Sequence, residues 1–182
     1  MASADTVRPE LASEQAVESC VNAAPRLPAE QAAAWVGFLA AHTEITRALD
    51  AGLNAQFGLS LSALEVMARI AWESDGRLRM SDLAQGALLS QSRVSRIVDQ
   101  LETRGLAERF ACPSDSRVVF AGLTEAGREL IGRALEFHWL QVQERFFAAL
   151  STDQVLALGT IWKGVLGGNS LQPAASIPTA DD

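Results

Sequence analysis

The sequence contains no tyrosine and only two histidines and two cysteines among its 182 residues. Cys20 and Cys112 lie far apart and belong to no C-x-x-C pair, so we expect no disulfide framework. With His42 and His138 as the only histidines, the ligand spacing of a zinc site is missing too. No set of nucleophile, base and metal ligands converges, and no glycine-rich phosphate loop follows a strand. We therefore expect neither an enzyme nor a bound metal or cofactor.

Long apolar runs are also missing. None approaches the roughly 18 residues that a membrane-spanning helix needs. The N-terminal segment carries acidic residues and lacks the basic-then-apolar order of a signal peptide. We therefore expect a cytoplasmic protein with no membrane partner.

Proline is nearly absent from the interior of the chain, where Pro113 is the single interruption between positions 28 and 173. This pattern favours helices. The apolar content of 48% over this length predicts one globular domain, over 28–166. Segments 1–27 and 167–182 are rich in small and polar residues and are predicted to be mobile tails.

The balance of charge differs along the chain. The net charge of −7, taken alone, argues against nucleic-acid binding, which needs a positive surface. From Arg77 to Arg133, however, nine arginines face seven acids, a balance of +2 that leaves −9 for the remainder. A nucleic-acid interface is therefore expected only in this central region.

Apolar periodicity predicts long helices at both ends of the domain. The first covers about 28–57 and carries apolar residues on two faces. Thr124 and Ser151 are suited to cap two later helices, the first of which runs to about residue 149 and is apolar nearly all round in its second half. Because such helices must be enclosed, we expect 28–57 and 125–166 to form a dimer interface.

Two shorter helices joined by a tight turn occupy the middle of the chain. The first is predicted over about 81–88, with Leu83, Ala84 and Leu88 directed inward. The second is predicted over 91–103. Together they are a candidate helix-turn-helix.

The helix over 91–103 separates into an apolar and a polar face. The inward positions are Val94, Ile97, Val98 and Leu101. The outward positions are Gln91, Ser92, Arg93, Ser95 and Arg96. Because a helix N-terminus attracts anions, Ser90 to Ser92 can hold a phosphate while Arg93 or Arg96 reaches a guanine edge. An ordinary solvated face is the alternative.

A β-hairpin is predicted next, with strands near 106–110 and 117–120, and it is the only β pattern in the sequence. Its tip places Arg117 two residues after Asp115. The carboxylate can then hold the guanidinium extended, which suits insertion into a narrow minor groove. The alternative is a surface ion pair of little energetic value.

The order of these motifs resembles the MarR family of winged-helix transcriptional regulators over about residues 28–166. The residues that carry the resemblance are Leu83-Ala84, Ser95-Arg96-Ile97-Val98-Asp99-x-Leu101-Glu102-x-Arg104-Gly105-Leu106, Asp115-Ser116-Arg117 and Leu123-Thr124-x-x-Gly127. The expected fold is therefore mainly α with a small β-hairpin wing. It would comprise a winged helix-turn-helix lobe over 60–123 and a helical dimerisation region.

The resemblance implies a homodimer that binds double-stranded DNA at a pseudo-palindromic operator, as a repressor. It places 91–103 as the recognition helix in the major groove, and Arg117, oriented by Asp115, in the minor groove. The alternative is a winged-helix interaction module without specific DNA binding.

Many members of this family release DNA when a small aromatic or phenolic ligand binds between the dimerisation helices and the DNA-binding lobe. Trp35, Phe38 and His42, with Arg69 or Trp72, are suited to bind an aromatic carboxylate. The alternative is that Trp35 and Phe38 belong to a dimer core and that His42 is a satisfied polar residue.

Two cysteines leave a redox role open. A branch of the family senses peroxides through an N-terminal cysteine activated by tyrosines, but this chain has no tyrosine to support Cys20. Cys112 lies in the wing beside Arg109 and Arg117, which can lower the pKa of a thiol. A structural thiol is the alternative at Cys112.

Overall fold

The computed structural model describes residues 26–112, 115 and 117–167. The chain divides into two compact units, residues 1–41 and residues 42–182. The helices are α1 (Ala29–Phe57), α2 (Leu61–Trp72), α3 (Met80–Gly86), α4 (Gln91–Thr103), α5 (Glu125–Arg145) and α6 (Thr152–Val165). The strands are β1 (Arg77–Arg79), β2 (Ala107–Ala111) and β3 (Val119–Leu123), and a 3-10 turn covers Phe147–Ala149. Helix α1 begins in the first unit and ends in the second. The predicted tails lie outside the described residues, apart from residues 26, 27 and 167.

Serine and threonine side chains start four of the helices. Ser60, Ser90, Thr124 and Ser151 each accept a hydrogen bond from the main-chain N–H three residues later. Each bond satisfies one of the donors that a helix N-terminus leaves without an intrahelical partner. The predicted caps at Thr124 and Ser151 are thereby confirmed.

The strands form one antiparallel sheet in the order β1-β3-β2. In its register Arg79 lies opposite Phe120, and Arg109 lies opposite Ala121. The expectation of a hairpin alone was incomplete, because β1 adds a third strand. Three residues are too few to show an alternating pattern, and β1 becomes a strand only through its pairing with β3.

The core of the second unit joins the end of α1, helices α2, α3 and α4, strands β2 and β3, and the start of α5. Its largest fully buried side chains are Leu53, Leu59, Val66, Met67, Ile70, Leu83, Val94, Val98 and Leu101. Within the described residues, no charged or polar side chain is classed as buried. The core therefore depends on apolar packing, and α4 packs against it through its buried face.

The turn between α3 and α4 differs from the sequence prediction. Helix α3 ends at Gly86, and Leu88 has φ of 54° with 88% of its surface exposed. The inward placement of Leu88 was wrong, because the left-handed backbone of the turn directs this side chain away from the core. Leu83 and Ala84 are buried as expected.

The later helices also differ in detail. The predicted helix over 125–149 ends at Arg145 and is followed by the 3-10 turn. Helix α6 contains no buried residue, and Leu156 and Val165 are 66% and 70% exposed. The protomer alone therefore does not enclose the apolar surface of α6.

None of the helices in the described part of the chain has the length and hydropathy needed to cross a membrane.

Candidate nucleic-acid interface

Helix α4 presents a polar, basic face opposite its buried one. All four positions predicted to point inward are buried, whereas Ser90, Gln91, Ser92, Arg93 and Arg96 are exposed. Ser95 is half-buried. The outer face is therefore accessible to a partner along the first turns of the helix.

Ser90 and Ser92 lie together at the start of α4. Their hydroxyl oxygens are 3.1 Å apart, and Ser90 Oγ accepts from the main-chain N–H of Arg93 at 3.3 Å. The N–H groups of a first helical turn, together with the helix dipole, favour an anion at this end. This part of the interface is suited to a phosphate.

Arg109 of β2 connects the wing to α4. Its Nη1 lies 2.8 Å from Asp99 Oδ1 and also contacts Glu102 Oε2. Its Nη2 donates to the carbonyl oxygen of Ser95 at 3.0 Å and to Ser95 Oγ at 3.3 Å. From the sequence, Arg109 is expected only to lie beside Cys112, and this contact is not predicted. The sequence pattern that could have indicated it is the spacing of Ser95, Asp99 and Glu102, which places them on one face of the helix.

The tip of the wing is held by a local hydrogen bond. Asp115 Oδ1 accepts from the main-chain N–H of Arg117 at 3.0 Å, and the carbonyl oxygen of Asp115 accepts from Val118 N–H at 3.0 Å. Short acidic side chains commonly bond the backbone two residues later in turns. No ion pair joins Asp115 to the Arg117 guanidinium within the described segments, so the expected carboxylate-to-guanidinium contact was wrong.

A cleft of about 460 Å³ separates α4 from the wing and the start of α3. We call it the α4 cleft, and its lining residues are Arg79, Met80, Ser81, Gln91, Ser95, Arg109, Arg117, Val118 and Val119. The Arg79 guanidinium lies 5.6 Å from the centroid of the Phe120 ring. Arg79, Arg117, the amide of Gln91 and two hydroxyls therefore meet in one open groove, where they can bind an anionic chain, while the Arg109 guanidinium is engaged by α4.

A second cavity, of about 430 Å³, lies beside the turn between α3 and α4. We call it the His138 cavity, and it is lined by Leu49, Leu61, Ser62, Leu64, Glu65, Ala87, Leu89 and His138. Burial lowers the pKa of His138, and the charge of Glu65 opposes this shift. In the described part of the chain, His138 Nδ1 is buried without a hydrogen-bond partner.

The residues predicted to bind a ligand are placed as follows. In the first unit, Trp35 and Phe38 are exposed and their ring centroids lie 5.7 Å apart. In the second unit, His42 is exposed, Arg69 Nε lies 2.7 Å from Glu65 Oε1, and Trp72 packs against the core. Neither Arg69 nor Trp72 lines the His138 cavity. Arg69 is thus already paired, and a ligand role for this set stays a prediction.

Only one of the two cysteines lies within the residues that the structure describes. Cys20 lies outside the described residues. Cys112 is half-buried, and its main-chain N–H donates to the carbonyl oxygen of Val118 at 2.9 Å. The Arg109 guanidinium is engaged by α4. A redox role for either cysteine stays a prediction.

The three-stranded sheet packed beside the α3–α4 pair defines a winged helix-turn-helix protein. A family model described as the MarR family matches residues 59–119. The chain is 30% identical to AbsC, a MarR family transcriptional regulator from Streptomyces coelicolor, with a TM-score of 0.72 and coverage of 80% of this chain and 97% of that one. It is 35% identical to Sco3205, a MarR family regulator from the same organism solved in complex with DNA, with a TM-score of 0.74 and coverage of 84% and 94%. The chain belongs to the MarR family.

Curated relatives match over a shorter part. MhqR, an HTH-type transcriptional regulator of Bacillus subtilis, is 30% identical over 98 residues, which are 54% of this chain and 66% of that protein. YkoM of the same organism, an uncharacterized HTH-type transcriptional regulator, is 32% identical over 79 residues, 43% of this chain and 51% of that protein. The matched segments therefore span about half to two thirds of these relatives. All of these relatives are regulators and not enzymes.

Proposed function

We propose that this chain is a sequence-specific, double-stranded-DNA-binding transcriptional regulator that represses from a pseudo-palindromic operator. The α4 cleft carries this proposal, because it brings Arg79, Arg109 and Arg117 beside the exposed face of α4. This region lies within the positive part of an otherwise acidic chain. A cytoplasmic location follows from such a role.

In this proposal α4 enters the major groove. Arg93 and Arg96 lie on its outer face, where a guanidinium can donate to the O6 and N7 atoms of guanine. Arg117 extends from the wing to the adjacent minor groove, while Ser90 and Ser92 meet the phosphate backbone. Sco3205, which is 35% identical, was solved in complex with DNA, and this supports DNA binding by the present chain.

The protein is proposed to act as a homodimer through residues 28–57 and 125–166, with 60–123 as the DNA-binding lobe. Exposed large apolar side chains occur in each of these terminal regions. Those of α5, α6 and the residues next to them are Leu140, Phe147, Leu156, Ile161, Val165 and Leu166. Those of α1 are Trp35, Val36, Phe38 and Leu39. A second copy would remove this surface from water.

A small aromatic or phenolic ligand is proposed to bind in the His138 cavity and thereby to cause release of the DNA. The unpartnered Nδ1 of His138 can accept a hydrogen bond from a phenolic hydroxyl, and the lowered pKa keeps the imidazole neutral. Glu65, the charged residue of the same lining, is already paired with Arg69, so among the described residues the cavity offers no free cation to a carboxylate on the ligand. We therefore expect 4-hydroxybenzyl alcohol to release the operator more effectively than 4-hydroxybenzoate.

The proposed DNA binding is tested by selecting duplexes from a random-sequence pool with the full chain. Affinity for the selected duplex and for a scrambled version is then measured by fluorescence anisotropy at several salt concentrations. We expect the selected duplex to bind more tightly and its affinity to fall steeply with salt, because arginine contacts release counterions. No enrichment, or binding that is insensitive to salt, would favour the protein-interaction module instead.

A further inference from the structure

One stripe of α4 faces the wing. Gln91 and Ser95 line the α4 cleft, and Ser95, Asp99 and Glu102 all contact Arg109. Successive members of this set are three or four residues apart, so they share one face of the helix. This stripe lies beside the outer face that carries Arg93 and Arg96.

Arg109 engages this stripe through both terminal nitrogens. Nη1 serves the two carboxylates, and Nη2 serves the carbonyl and hydroxyl oxygens of Ser95. The side chain is only 24% exposed, and its backbone lies within β2, opposite Ala121 of β3. Because both terminal nitrogens are occupied, a phosphate contact through either of them would compete with this network.

We infer that Arg109 is a positioning residue that sets DNA specificity by locking the rotation of α4 against the wing. The lock decides how Arg93 and Arg96 meet the base edges. It also offsets one of the two negative charges that Asp99 and Glu102 would otherwise present near the DNA. This inference rests on the proposed DNA-binding function and deepens it.

The test is a mutant cycle on the specificity ratio, which is the affinity for the selected duplex divided by that for its scrambled version. The variants are Arg109→Ala, Arg109→Lys, the pair Asp99→Asn with Glu102→Gln, and the pair combined with Arg109→Ala. Arg128→Ala is the matched control, since Arg128 also donates to a backbone carbonyl and pairs with a carboxylate, Glu125, but does not line the α4 cleft. Thermal melts establish that each variant folds.

We expect Arg109→Ala to lower the specificity ratio about tenfold, within the usual range for coupling in a hydrogen-bonded network. Arg109→Lys should recover part of the loss, because an ammonium keeps the charge without the planar fork. The carboxamide pair should lower the ratio as well, and the combined variant should lose no more than Arg109→Ala. The salt slope and the Arg128→Ala ratio should stay at the values of the parent protein.

Three results would overturn the inference. The first is an unchanged specificity ratio in Arg109→Ala, and the second is additive losses of the ratio in the combined variant. The third is an equal loss of affinity for both duplexes in Arg109→Ala with a salt slope smaller by about 0.9, which marks a direct phosphate contact. If Arg109→Ala does not fold, the carboxamide pair, which retains Arg109, decides the question through its own ratio. A parent protein that prefers no duplex would overturn the proposed function together with this inference. If the parent protein prefers the selected duplex and Arg109→Ala retains that preference, the inference alone is overturned.

Discussion

Asp115 holds the main chain of Arg117 and not its side chain: Oδ1 accepts from the Arg117 N–H at 3.0 Å. The carboxylate therefore shapes the turn at the tip of the wing, and the guanidinium is directed by the backbone that carries it. Arg117 lines the α4 cleft from this position. Orientation of the wing arginine is thus a property of the turn.

This relationship predicts different effects at the two residues. Arg117→Ala should weaken binding to both the selected and the scrambled duplex with little change in stability, and should reduce the salt slope by about one. Asp115→Ala should lose part of that affinity, whereas Asp115→Asn should bind nearly as the parent does, since an amide oxygen still accepts the hydrogen bond. Arg47→Ala is the control, because Arg47 is an exposed arginine paired with Glu44 on α1. Equal affinity of Arg117→Ala and the parent would remove the wing from the proposed interface.

Arg96 is predicted to read a base. It is exposed on the outer face of α4, about one turn after Ser92. Arg96→Ala should cost about 1–3 kcal/mol on the selected duplex and less on the scrambled one. Anisotropy titrations of both duplexes measure this difference. The same loss on both would indicate a phosphate contact.

Gly127 is predicted to be required for stability. A β-carbon at this position would collide with the main-chain carbonyl of Leu106, the same carbonyl that accepts from Thr124 N–H. Gly127→Ala should therefore lower the free energy of unfolding by about 1–3 kcal/mol, the usual cost of overpacking. Gly132 lies in the same helix with open space around it, so Gly132→Ala should raise the free energy of unfolding by roughly 0.5–1 kcal/mol. Urea unfolding at one protein concentration compares the two, and equal effects would contradict the account.

Stability is predicted to fall in acid partly because of His138. Burial holds the pKa of this imidazole below its usual 6.5, so the unfolded chain binds the proton more tightly than the folded chain. Above pH 6.5 both states are neutral at His138 and the group has no effect, whereas stability is lost as the pH falls below this value. His138→Gln should remove that loss. Urea unfolding of parent and variant between about pH 7.5 and 5 measures it, and parallel pH profiles would exclude His138 as the cause.

The apolar surface of α6 is predicted to be a dimer contact. Leu156→Glu should shift the protein toward monomers without unfolding the protomer, because Leu156 is exposed in the single chain. Sedimentation velocity reports the oligomeric state, and circular dichroism reports the helix content. Gln100→Glu, at an exposed position of α4, should leave the oligomeric state unchanged. A parent protein that is monomeric at all concentrations would contradict the proposed homodimer.

Local features were predictable from the residues alone. The bounds of α4 followed from the spacing of Val94, Ile97, Val98 and Leu101, and the caps at Thr124 and Ser151 followed from side chains that bond within one turn. The motif order also predicted the MarR family, which the comparisons confirm. The helix bounds and the caps depend on neighbours within a few positions, so the local sequence pattern is sufficient to predict them.

Contacts between distant segments required the tertiary structure. Strand β1 exists only through β3, and the role of Arg109 appears only when β2 lies along α4. The His138 cavity likewise is lined by side chains that are far apart in the sequence, such as Leu49 and His138. The sequence by itself determined α4 and the caps at Thr124 and Ser151, because those depend on local periodicity and capping chemistry, and it determined the family through the order of its motifs. The tertiary structure alone decided which arginine contacts α4 and which histidine faces a cavity, because both depend on packing between residues far apart in the chain.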